Sequence, residues 1–231
     1  MLKVLSRVFI RPSPITKKDA PGGPVKTNFL LATALLIAAG SANAASVSYY
    51  MNQSNEEGTW ADGVNYLLVT ISDSLANPGD IEFLVTPLAT LTSTAGSNFG
   101  IQRFGFNTTG AGNALTAANI IDPVGWSTTS GNLDGFGAFE VSEDGTGSNR
   151  QNPLFFRITG ISGDSIYDYA VNGSGGAQGT YFFAAHVAGM TVGPGSAFFG
   201  GSTVVPVPAA AWLFGSALGL LGLSRRRLAA A

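Results

Sequence analysis

Between Ser46 and Gly201 the chain alternates short apolar or β-branched runs with clusters of Gly, Asn, Asp, Ser and Thr, and long helical periodicity is missing. That alternation predicts an all-β body. Candidate strands are 46–51, 64–71, 81–86, 99–106, 136–141, 154–160, 166–171 and 180–190. Several follow a two-residue period. Ile81, Phe83 and Val85 point one way and Glu82 and Thr86 the other, while Leu154, Phe156 and Ile158 oppose Arg157 and Thr159. The run Thr180 to Val187 is apolar on both sides and predicts a central strand buried from two directions. Turn signals fall between these runs at Asp62-Gly63, Asn77-Pro78-Gly79, Asp144-Gly145, Gly163-Asp164 and Asn172-Gly173. Strands at this spacing suit a two-sheet β-sandwich of jelly-roll type. A short helix over 115–121 is a further expectation, and the rival β-solenoid finds no fixed-period repeat to support it.

The two ends of the chain read differently. From Val204 to Leu223 the only side chains with polar atoms are Ser216 and Trp212, and twenty helical residues reach about 30 Å, one hydrocarbon thickness. Pro208 shortens the strictly helical part to a marginal span. Arg225, Arg226 and Arg227 follow at once and favour a cytoplasmic C-terminus, which places everything before the span outside. At the other end, Lys26 precedes the apolar run 29–39, and Ala42-Asn43-Ala44 supplies the small-x-small pattern of a signal-peptidase site. Cleavage is expected after Ala44 or Ala45. The basic, proline-rich stretch before Val25 is long for a leader, which raises a start further in as an alternative. The expected organisation is a leader and secretory signal peptide over 1–45, an exported sandwich over 46–203, a sorting segment with one transmembrane helix over 204–227, and a tail over 228–231.

The C-terminal arrangement resembles the PEP-CTERM sorting signal of bacterial exported proteins, in which a Val-Pro-Glu-Pro motif precedes one membrane span and an arginine cluster. Val205, Pro206 and Pro208 match the motif, and Val207 stands where the family usually has Glu. The resemblance covers about the last 27 residues. It implies an exosortase-type processing enzyme as a partner beside signal peptidase, and it carries nothing about the central body.

Charge is unevenly distributed between the ends and the body. Of the 14 acidic residues only Asp19 lies outside the body, and of the 12 basic residues only Arg103, Arg150 and Arg157 lie inside it. The body therefore carries about −10 although the whole chain carries −2. Such a surface repels nucleic-acid phosphates and anionic lipid, so nucleic acid is not an expected partner, and it suits cations or a hydrated matrix. With no cysteine there is no disulfide, thiolate nucleophile or zinc–thiolate site.

Candidate chemistry is sparse. The only imidazole, His186, sits in the most apolar run and reads as a core or sheet-surface residue rather than a general base. The acidic stretch with Glu140, Glu143 and Asp144, and Asp134 upstream, gathers hard oxygen ligands beside glycines; calcium is the cation that would suit them, in a spacing that matches no EF-hand. No catalytic set or organic cofactor emerges. The leading expectation is a non-enzymatic, envelope- or matrix-associated protein. A carbohydrate- or calcium-binding adhesion module, with extracellular polysaccharide as partner, is the alternative, and a secreted hydrolase using paired carboxylates is the third.

Overall fold

In the computed structural model the described residues are 44–205; the signal-peptide, cleavage-site and sorting-segment expectations at Ala42, Pro206, Pro208 and Arg225 to Arg227 lie outside them, and Ala44 and Val205 are their first and last. Twelve strands follow in chain order: β1 (Ser46–Met51), β2 (Gln53–Ser54), β3 (Leu67–Asp73), β4 (Ile81–Pro87), β5 (Ala95–Phe106), β6 (Ile120–Ile121), β7 (Ser127–Leu133), β8 (Gly137–Asp144), β9 (Leu154–Ile158), β10 (Phe183–Met190), β11 (Ser196–Gly201) and β12 (Thr203–Val204). They form two six-stranded antiparallel sheets, ordered β12-β1-β3-β4-β9-β6 and β2-β11-β10-β5-β8-β7. The body is an all-β sandwich. One short α-helix, α1 (Ala89–Thr92), lies on the connection from β4 to β5. Among the described residues no helix is long and apolar enough to cross a membrane.

The two-residue period places the core. Val69 pairs with Val85 and Ile71 with Phe83 across β3 and β4, and Phe83 pairs with Phe156 across β4 and β9; all are fully buried. Phe83 and Phe156 stack at 4.7 Å, and Phe104 and Phe183 of the facing sheet stack at 5.8 Å. Offset ring contacts of this kind add to the area each ring removes from water.

β10 is central and buried on both faces, as its sequence predicts. Phe183, Ala185 and Val187 enter the inter-sheet core, while Ala184 faces a second, smaller cluster with Leu133, Phe136 and Phe139. Ala184 pairs with Gly200 on β11 and Gly105 on β5, which makes a row of minimal side chains across three strands. The rings occupy the space those residues leave. A Cβ on Gly105 would stand 2.9 Å from both Leu133 and Phe139, and one on Gly200 would overlap the Phe136 ring.

Three expectations need correction. Residues 166–171 are no strand: Ile166–Tyr169 is a 3-10 turn, because Ile166 and Tyr169 stand three apart and both bury, and the Asp168 carboxylate accepts from the Ser165 N–H at 2.9 Å. The 115–121 helix is a single 3-10 turn, Ala117–Asn119, that runs into β6. At the reversals Gly63, Gly79 and Gly163 take positive φ, whereas Gly145 and Gly173 do not; Asp144 still belongs to β8, and the positive φ values near Gly173 fall at Gly175 and Gly179. β7 and β11 were not among the candidate strands. β7 reads Ser-Thr-Thr-Ser-Gly-Asn-Leu and buries only Leu133, so it shows no apolar period.

Candidate functional site

The sequence groups Asp134, Glu140, Glu143 and Asp144; the structure gives each a separate setting. Adjacent residues of a strand point to opposite faces, so a run along β8 is dispersed by the pleat. Asp134, in the turn between β7 and β8, accepts a 3.0 Å bond from the Asn55 amide. Asp144 forms an ion pair with Arg103 and accepts from the hydroxyls of Ser142 and Thr129, both at 2.8 Å. Among the described residues no group of three or more His, Asp or Glu side chains is placed to hold a metal ion.

Glu143 is fully buried and faces the core from β8 opposite Phe104. Asp122, from the connection between β6 and β7, and Thr128 of β7 meet it. The Thr128 hydroxyl lies 3.2 Å from Glu143 Oε2 and 3.3 Å from Asp122 Oδ2, and it has one proton to give. Glu143 Oε1 and Asp122 Oδ1 are buried with no donor from the rest of the protein. Two carboxyl groups so placed cannot both carry full charge without a large penalty. Burial first, and then the Asp122 carboxylate, push Glu143 up to about 9, so it holds a proton at neutral pH. Sequence reading missed Asp122 and Thr128, and no local signal marks them: they reach Glu143 through the β7–β8 register, which sets Thr128 opposite Glu143.

Glu140 occupies the open position. Its Oε2 accepts from the N–H and hydroxyl of Thr108, both at 3.2 Å, while its own N–H donates to Asn107 Oδ1 at 2.7 Å. On one side Asn107, Asn172 and Ser174 border a depression of about 410 Å³, and on the other Thr116, Thr128 and Ser130 border one of about 330 Å³. Hydroxyl and amide groups thus flank a single carboxylate across a shallow surface. Such a surface can hydrogen-bond a hydroxylated ligand.

His186 stacks on Phe198 at 4.5 Å and is half-buried on the outer face of its sheet. Desolvation, reinforced by the nearby Arg150 and Arg103 charges, lowers its pKa from 6.5. No family model, curated protein or solved structure matches the chain.

Proposed function

We propose that the chain is an exported envelope protein whose sandwich serves a structural, matrix-associated role outside the cytoplasm. It is delivered by the N-terminal signal, held by the C-terminal span, and sorted as the PEP-CTERM resemblance implies. The observation that supports this reading is the place of the described strands in the sequence. β1 starts at Ser46, directly after the signal-peptidase pattern, and β12 stops at Val204, directly before Val205 and Pro206 of the sorting motif. β12 also pairs with β1, Tyr49 against Val204 and Tyr50 against Thr203, so every described strand pairing lies between the two proposed processing regions. The net acidity of the body fits a hydrated matrix rather than nucleic acid. A jelly-roll path for the strands is the finer architectural reading.

Intact-mass measurement of protein from the envelope and from the medium tests this. The expected envelope species begins at Ala45 or Ser46, and the expected released species also lacks residues beyond about Pro208. A single species with residues 1–45 still attached in the cytosol refutes it.

The Glu140 groove favours a second reading, a carbohydrate-binding adhesion module, because its border is made of hydroxyls and amides around one carboxylate. Retention on polysaccharide that Glu140→Gln reduces is the expected result; equal retention of the two proteins removes this reading. Hydrolase chemistry draws no support from Asp122 and Glu143, since Glu143 is sealed from solvent and a glycosidase needs both carboxyls at the substrate.

A further inference from the structure

We propose that the β3–β4 turn, residues 75–79, is a lipid-contacting surface that rests on the bilayer while the C-terminal span is in place; this rests on the anchored reading above. The strand registers give the direction of the exit. Thr203 and Val204 pair with Tyr50 and Tyr49, and the Val205 N–H donates to the Ser48 carbonyl at 2.9 Å, so the chain leaves the sheet running toward Ser46. Ser46 pairs with Ser72, and the β3–β4 turn lies just beyond that end.

Reach then decides the height. Ser48 pairs with Thr70, and from there to Leu75 is five residues, three to the end of β3 and two into the turn, about 17 Å at 3.3 Å per residue. Residues 206–209 can extend at most about 14 Å. The apolar span, which takes up from Ala209, therefore starts no farther out than the turn itself. A body tethered that closely cannot lift the turn clear of the headgroups unless it tips over.

The chemistry of the two ends agrees with this orientation. Residues 75–79 read Leu-Ala-Asn-Pro-Gly, without charge, and Leu75 is 74% exposed. The acids nearest the turn are occupied: Asp73 accepts from the Ala45 N–H at 3.0 Å, Asp80 pairs with Arg157 at 3.3 Å, and Glu82 accepts from Ser74 at 2.6 Å. The opposite end carries exposed Glu56 and Glu57 together with Asp62 in the loop after β2. The β10–β11 turn with Val192 shares that end, since Gly193 lies against Thr59. A strongly acidic body thus turns an uncharged, leucine-tipped loop toward the side from which the span departs.

The absence of cysteine makes the test direct. Full-length Leu75→Cys, Ala76→Cys and Val192→Cys proteins, each labelled with an environment-sensitive fluorophore, are reconstituted into phosphatidylcholine vesicles, floated, and exposed to a headgroup-attached quencher. The expected result is blue-shifted emission and loss of intensity at positions 75 and 76, with water-like, unquenched emission at 192. If the protein floats with the vesicles but 75 and 76 match 192, the contact surface is wrong and anchoring stands. If the protein does not float, the anchored reading fails and takes the contact surface with it.

Discussion

Glu143→Gln isolates the proton held inside the sandwich. The amide has the shape of the neutral acid: its NH₂ can donate to Asp122 and its carbonyl can accept from Thr128, so the fold keeps its packing and loses only the titration. Burial and Asp122 raise Glu143 from an ordinary 4.5 to about 9 in the folded protein. Between those limits the folded state binds the proton and the unfolded chain does not. Stability from this group is therefore complete below 4.5 and is lost as pH rises toward 9, at about 1.4 kcal/mol per pH unit. Other groups contribute their own slopes, His186 among them, and the comparison of wild type with variant cancels them. Urea unfolding at about pH 6 and pH 8 should show the stability advantage of Glu143→Gln growing by roughly 2–3 kcal/mol over that interval. Parallel pH dependences of the two proteins refute a proton held on Glu143 and require Glu143 to be ionised in the folded state.

Three further outcomes follow from the packing. Gly200→Ala pushes a methyl group into the Phe136 ring, and thermal unfolding should register a loss of about 1–3 kcal/mol. Phe83→Ala empties the centre of the aromatic cluster and should cost about 3–5 kcal/mol in denaturant unfolding, with the m-value unchanged. The imidazole of His186 should titrate below 6.5 by NMR, and Arg150→Gln should move the midpoint upward; an unmoved midpoint removes Arg150 from the causes and leaves desolvation and Arg103.

The parts of the fold legible in the sequence are those whose environment is one-sided. β4 and β9 advertise their inner faces through Ile81, Phe83, Val85 and Leu154, Phe156, Ile158, and β10 advertises burial on both sides. β7 was illegible because an edge strand with Ser, Thr and Asn along most of its length has its period written in backbone bonds to β8 rather than in side chains. Residues 166–171 misled for the opposite reason, since Ile166, Tyr169 and Val171 satisfy a strand by composition while their spacing meets a 3-10 turn. The candidate site divides in the same way. Asp134, Glu140, Glu143 and Asp144 are conspicuous in one dimension, yet what each does depends on the face it takes and on partners from elsewhere: Asn55, Thr108, Asp122 and Arg103. No spacing rule along one segment encodes a partner that arrives through pairing with another strand.

If the chain is processed as proposed, the two-residue strand β12 limits where it can be cut without uncovering β1. While Thr203 and Val204 lie against Tyr50 and Tyr49, the outer rim of β1 is partly occupied, and Val205 extends that cover to Ser48. A cut downstream of Val205 would leave those pairings in place. Trimming even three residues further back would bare the N–H and carbonyl groups of β1 over its full length, and a bare rim is a template for adding strands from neighbouring copies. Under the proposed processing, the position of the cut would therefore decide whether the rim of β1 is covered or open to pairing.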